Sequence, residues 1–198
     1  MNRKLYLFDF DGTISSKDSF SHFFVKTFGK KKIALKLIAN FHKIFFTVVT
    51  NKEKSKVKEL IISLFLKGKT KQEIESLGKE YSNSFINQII RTKALDYISN
   101  LNEKNNLYIV SASLSFWLSN FAKNIGVNLI STELAYENNI FTGKFKGENC
   151  KGKEKVNRIK KEISLNEYTK IISFGDSKGD REMFAISTEV NYKPFRTF

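Results

Sequence analysis

Three short apolar runs, Lys4-Leu-Tyr-Leu-Phe8, Leu107-Tyr-Ile-Val-Ser111 and Lys170-Ile-Ile-Ser-Phe174, show no polar alternation, and each gives way to small or acidic residues. Runs of this length without alternation read as strands buried on both faces. Helix-like sequence follows each run, so the pattern predicts a parallel α/β sheet. Ligands of such sheets bind beyond the carboxyl ends of the strands, which makes the loops after Phe8, Ser111 and Phe174 the place to look for chemistry.

Between the first two runs lie roughly ninety residues with no Pro and almost no turn signal. Their periodicity predicts an all-helical cap inserted after the first strand, with helices over Ser19 to Phe28, Lys31 to Thr50, Lys54 to Leu66 and Lys71 to Ile90. A helix over Ala94 to Glu103 leads back to the core. The expected division is a core of residues 1–16 and 94–198 around a cap of residues 17–93. Farther on, Ser115 to Ile125 reads as a helix stopped by Gly126, Val127 to Thr132 as a strand, Tyr136 to Phe145 as a hairpin, and Lys153 to Ile163 as a helix.

The stretch Lys31 to Asn51 is unusual, because twelve of the 17 residues from Ile33 to Val49 are apolar. Lys36, Asn40, Lys43 and Thr47 fall on one narrow stripe, so the apolar face is wider than a surface helix needs. A membrane span requires ~20 predominantly apolar residues, and this shorter run holds Lys36, His42 and Lys43. Two readings stay open: a central helix buried in the cap bundle, which is the default, or a helix whose surplus apolar face touches lipid.

Composition adds charge to this pattern. The 198 residues carry a net +14, and residues 17–93 hold 17 Lys or Arg against 6 Asp or Glu, a net +11. Anionic partners follow from that: a phosphorylated small molecule or lipid, and peripheral contact of the cap with an anionic membrane. Charge alone also fits a basic nucleic-acid binder, but no aromatic-rich RNA motif or zinc pattern accompanies it. The single Cys150 and an opening without a signal-peptide pattern lead to the expectation of a cytoplasmic protein, peripheral at most to the inner face of the membrane. His22 and His42 lack nucleophile partners or metal-ligand spacing, Trp117 reads as a core anchor, and no protein partner is identifiable.

The candidate chemistry sits at the strand ends. Asp9 and Asp11, one residue apart and followed by the turn residue Gly12 and by Thr13, can face one pocket as nucleophile and proton donor. By themselves they are equally good turn chemistry or part of a calcium loop. Asp176 and Asp180 add two carboxylates at a spacing of four, which can also be simple helix capping. Four acids at two strand ends call for a hard cation, and a few oxygen ligands suit Mg2+. Ser111 can offer a hydroxyl and an amide to a phosphate, and Lys153, opening a helix, an ammonium. A lone serine or lysine is more often structural.

Asp9-Phe-Asp-Gly-Thr13, Val110-Ser-Ala-Ser113, Gly152-Lys-Glu-Lys155 and Gly175-Asp-Ser-Lys-Gly-Asp180 occur in the order of the four motifs of the haloacid dehalogenase (HAD) superfamily, which the chain resembles. A helical cap after the first motif resembles subfamily IB, the phosphoserine phosphatase-like group. Asn149 to Lys155, Gly175 to Phe184 and Tyr192 to Arg196 look most similar to phosphatidylglycerophosphatase C and its relatives. The resemblance implies a Rossmann-like core and a Mg2+-dependent phosphatase acting through an aspartyl phosphate. It makes Asp9 the nucleophile, Asp11 the acid and base, Ser111 and Lys153 the phosphate binders, and Asp9, Asp11 and Asp176 the metal ligands, with Asp180, Gly12 and Thr13 in support. A lipid head-group phosphate such as phosphatidylglycerophosphate is the favoured substrate over phosphoserine or a small sugar phosphate, because the cap is cationic and apolar.

Overall fold

The structure is a computed structural model that describes residues 3–50, 54–102 and 104–196. Its centre is a five-stranded parallel sheet of β1 (Lys4–Phe8), β2 (Leu107–Leu114), β3 (Asn128–Thr132), β6 (Lys170–Gly175) and β7 (Glu189–Tyr192) in the order β3-β2-β1-β6-β7. The first strand pairs with β2 on one side and β6 on the other, Phe8 standing opposite Ile109 and Phe174. Successive side chains of a strand point to opposite faces. Tyr6 and Phe8 accordingly enter the larger hydrophobic cluster, while Leu5 and Leu7 enter a second one with Cys150, Ile159 and Met183. Both faces are covered, which explains why β1 carries no polar alternation. The edge strand β7 has half-exposed positions, and its Glu-Val-Asn-Tyr sequence offers no continuous apolar run to read.

The segment between β1 and β2 is helical: α1 (Ser19–Phe28), α2 (Lys30–Ala39), α3 (Phe41–Thr50), α4 (Lys54–Leu66), α5 (Lys71–Ser84) and α6 (Thr92–Ser99). Asp18 caps α1 through the Ser21 amide, and Thr70 and Glu73 form a reciprocal capping box at α5. Three helical expectations need correction. The single helix Lys31 to Thr50 is two helices bent by 70°, because the Asn40 side chain donates to the Lys36 carbonyl at 2.9 Å and competes with the backbone ladder. The helix Lys71 to Ile90 ends at Ser84 and continues as the 3-10 turn Ile86–Ile89. The helix from Ala94 starts at Thr92 and stops at Ser99, and Glu103, like Asn51, lies outside the described residues.

A larger correction concerns burial. No residue of α2 or α3 is buried, so the favoured reading of Ile33 to Val49 as a central cap helix fails. The bend at Asn40 prevents the two halves from presenting one face to the bundle. Only Ile33, near the start, packs against the main cluster.

The cap is fixed to the core through α5 and α7 (Ser115–Asn124). A Cβ added at Gly78 would stand 1.9 Å from the Phe116 carbonyl oxygen, so the helices meet at backbone distance. Trp117 is wholly buried beneath the cap, stacked on Phe23 of α1 at 4.8 Å. The hairpin β4 (Leu134–Glu137) and β5 (Ile140–Phe145) also buttresses the cap, Thr70 bridging to Ile140 and the Phe145 amide donating to Glu59 at 2.8 Å.

Gly78→Ala tests this junction. Ala would raise helix propensity in α5 by ~0.5–1 kcal/mol, but overpacking against an immobile carbonyl costs ~1–3 kcal/mol, and the clash wins. The expected outcome is a lower urea midpoint for the variant.

Candidate active site

The loops after β1, β2 and β6 meet at a cavity of about 1400 Å³ lined by Asp9, Asp11, Ser111, Asp176 and Asp180 from the core and by Lys58 from the cap. Asp9 directly follows β1, and its amide donates to the Phe174 carbonyl at 2.8 Å, extending the β1–β6 pairing by one residue. That bond sets the Asp9 carboxylate beside the acidic loop that follows β6.

The lysine between these acids is Lys155, not Lys153. Its Nζ stands 2.6 Å from Asp9 Oδ1 and 2.7 Å from Asp180 Oδ1, and it is 2% exposed. Lys153 is exposed at the start of α8 (Lys153–Glu162), where it lines the rim of the same cavity. Two helical residues differ by about 200° around the axis, so only one of the two lysines can face the sheet. Lys155 shares its face with buried Ile159, four residues on, and with Ile163 beyond the helix end. That 3.6-residue spacing was the available signal.

Asp180 is fully engaged. One oxygen takes Lys155, and the other accepts from the Asp176 and Ser177 amides at 3.2 and 3.0 Å and from Ser177 Oγ at 3.0 Å. Burial opposes its ionisation, yet the Lys155 charge and these hydrogen bonds hold the carboxyl below its usual range. Asp176 meets Arg196 at 2.8 Å through Oδ2. Burial and the neighbouring Asp180 charge nevertheless push Asp176 upward. Gly12 is required here: its φ is +84°, and a Cβ would fall 2.3 Å from Asp176 Oδ2. Thr13 is completely buried behind this turn.

Oxygens of Asp9, Asp176 and Asp180 lie within 4.8 Å of one another, a donor set of hard ligands suited to Mg2+. Asp180 is occupied by Lys155 and its own loop. Asp9 Oδ2 and Asp176 Oδ1 are the oxygens of this group without a hydrogen bond among the described residues, and they are the ones that can face a cation.

Asp11 turns the other way. Its carboxylate accepts from Ser113 Oγ at 2.5 Å and from the Ser19 amide at the start of α1 at 2.7 Å, while the Ser19 and Ser113 hydroxyls bond each other at 2.8 Å. Burial pushes its carboxyl above the usual range despite these donors, which favours a protonated form. Burial also raises Asp9, to about 7, with Lys155 acting in the opposite sense. Ser111 is buried at the end of β2, its Oγ accepting from the Ser113 amide at 3.0 Å. Ser113, Ser19, Lys58 and Arg196 were not singled out from sequence as members of the site. Lys58 donates to the Ala112 carbonyl at 2.6 Å, and burial lowers its ammonium to about 8 against the pull of Asp11 and Asp18.

Residues 6–185 match the description of a haloacid dehalogenase-like hydrolase. The chain belongs to that family. Protein CicA of Caulobacter vibrioides is 32% identical over 97% of this chain and 86% of its own length. A protein of unknown function from Bordetella pertussis Tohama I shares the fold at a TM-score of 0.79, with 21% identity over 96% of this chain and 89% of that one. A substrate-bound phosphoserine phosphatase aligns at a TM-score of 0.65 and 18% identity, covering 97% of this chain and 86% of its own.

Removing Lys155 from this hydrolase should leave Asp9 and Asp180 as uncompensated buried carboxylates, a loss of ~3–5 kcal/mol if both stay ionised. Protonation relieves that penalty. Without the ammonium Asp9, already raised to about 7, rises further and Asp180 loses the charge that holds it down, so the variant's native state binds more protons than the wild type's and the deficit grows with rising pH. Urea unfolding of Lys155→Met should therefore show a larger loss at pH 8 than at pH 5, with Lys153→Ala near wild type at both. An equal loss at the two pH values would contradict the ionic account.

Proposed function

We propose that this hydrolase is a Mg2+-dependent phosphomonoester phosphatase working through an aspartyl phosphate on Asp9. The observation that carries the proposal is the pair of environments at the end of β1: Asp9 gripped by a buried ammonium, Asp11 held by Ser113 and Ser19 with burial favouring its proton. Burial raises both carboxyls, and their different partners, an ammonium on Asp9 and neutral donors on Asp11, divide the roles of nucleophile and acid. Asp9 attacks phosphorus as the bond from phosphorus to the leaving oxygen breaks, and Asp11 gives that oxygen its proton. Asp11 then takes a proton from water as the water attacks the acyl phosphate, releasing phosphate and restoring Asp9. Ser111 can donate to a phosphate oxygen, and Lys155 opposes the burial that raises Asp9 while Asp180 orients Lys155. Asp9 and Asp176 would hold Mg2+, with the Asp11 backbone carbonyl as a further ligand, and the bound ion supplies positive charge against the repulsion between carboxylate and phosphate. Gly12 and Thr13 shape the turn that carries these groups.

For substrate we favour a lipid head-group phosphate such as phosphatidylglycerophosphate. Phe20, Val48, Val57 and Ile61 line the same cavity as the aspartates, an amphiphilic surround that suits an amphiphilic ester. Phosphoserine or a small sugar phosphate is the second reading. A phosphoserine phosphatase in a phospho-aspartyl intermediate analogue state shares the fold at 19% identity and a TM-score of 0.63, a likeness that carries the fold alone.

Asp9→Asn should lose phosphate release while keeping its circular dichroism spectrum, because the amide cannot form the acyl phosphate. Release near the wild-type rate from the folded variant would remove Asp9 from its role. Activity should vanish with a chelator, return with Mg2+, and fall in excess Ca2+, whose larger and looser shell disfavours in-line geometry. A panel of soluble and lipid phosphomonoesters ranks the substrates, and turnover of soluble esters alone would favour the second reading.

A further inference from the structure

We propose that α2 and α3 form an arm that lies in the headgroup region of an anionic phospholipid bilayer and sets the catalytic cavity against that surface. Leu35, Ile38, Phe41, Phe45, Phe46 and Val49 are each 58–73% exposed. Elsewhere among the described residues, exposed large apolar side chains are scattered, with no more than the pair Val190 and Tyr192 on β7 sharing one element. Six exposed large apolar side chains within one twenty-residue stretch, with Phe41 and Phe45 stacked at 6.0 Å, need an occupant.

Charge selects that occupant. From Ser19 to Thr50 the chain carries six lysines and no Asp or Glu. Lys32 and Lys36 lie over the rings of Phe28 and Phe65, at 5.7 and 4.9 Å, with their stems along apolar surface. Three polar side chains of the arm bond to the backbone of their own helix: Asn40 donates to the Lys36 carbonyl at 2.9 Å, Thr47 to the Lys43 carbonyl at 2.8 Å and Thr50 to the Phe46 carbonyl at 2.7 Å. Such a face offers rings, methyl groups and cations but few directional groups for a protein partner to read. An anionic bilayer needs only those, and apolar insertion combined with a basic cluster supplies the two signals that stable peripheral binding requires.

Geometry sets the mode. Among the described residues no single helix is long and apolar enough to cross a membrane. The two ten-residue helices, ~15 Å each, are together long and apolar enough to match a hydrocarbon core of ~30 Å, but they are bent by 70° and carry Lys36, His42 and Lys43 among their apolar residues. The arm therefore lies along the interface, with its rings buried ~5–10 Å deep. Val48 of this arm also lines the catalytic cavity. An ester anchored by its acyl chains can then present its phosphate at the cavity without leaving the bilayer, a consequence that rests on the phosphatase reading.

The test is flotation of the full-length protein with phosphatidylcholine vesicles, with and without phosphatidylglycerol. Wild type should bind the anionic vesicles at low salt and lose affinity as salt screens charges over ~8 Å. Replacing Lys30, Lys31 and Lys32 together by Gln should weaken binding on the order of 100-fold. The variant I38E/F41E/F45E should not bind at any salt, with its circular dichroism and its hydrolysis of para-nitrophenyl phosphate unchanged. Wild type ignoring anionic vesicles at low salt, or the apolar variant binding as tightly as wild type, overturns the proposal. So does a dimer, seen by light scattering, that this variant dissolves without any vesicle binding, because the arm is then a subunit interface. Lost docking with soluble hydrolysis intact leaves the catalytic reading standing, whereas docking without hydrolysis in wild type removes the phosphatase reading alone.

Discussion

The molecule is organised around one buried ammonium. Strands β1 and β6 are neighbours whose carboxyl ends both finish in aspartates, and these acids sit in the interior, where like charges repel strongly. Lys155 lies between Asp9 and Asp180, within 2.7 Å of both. Burial opposes its charge, but the two carboxylates hold its proton more firmly than in water. Helix α8 can deliver it because Ile159, on the same face, is anchored among Leu5, Leu7 and Cys150. The packing of one hydrophobic cluster thus places the charge that opposes burial at the residue proposed as nucleophile.

A second constraint joins the cap to the chemistry. The chain enters and leaves the cap side by side, Ser15 bridging to Ile90 and the Arg91 amide donating to the Ile14 carbonyl at 2.9 Å. Next to this crossing, Asp11 bonds Ser113 of the core and the Ser19 amide of the cap at once. Moving α1 away would remove a donor from Asp11 and expose its carboxyl to water, and both changes bear on its proton. Cap position and acid strength are coupled through a single side chain, while Trp117 stacked on Phe23 and the close approach at Gly78 resist that movement.

The polar and apolar halves of the site are equally connected. Asp9 and Val48 line one cavity, so an acidic floor and an apolar arm border the same space. Exposed rings cost solubility, and their concentration on α2 and α3 amid five lysines is hard to reconcile with a solvated face.

Sequence by itself determined the sheet and the acids. Leu5, Leu7, Ile109 and Ile172 sit in unbroken apolar runs because both faces of a parallel sheet are covered, and Asp9, Asp11, Asp176 and Asp180 follow those runs because the pocket lies at the strand ends. Local rules also fixed Gly12, whose positive φ no larger residue accepts readily. Tertiary structure alone decided what depends on facing direction and on partners distant in the chain. It chose Lys155 over Lys153 by the rotation of one helix against the sheet. It recruited Ser19 and Lys58 from the cap, and split Lys31 to Thr50 at Asn40 so that its rings face outward. Apolar periodicity states that a face will be covered, but only the packed chain reveals whether its own residues cover it.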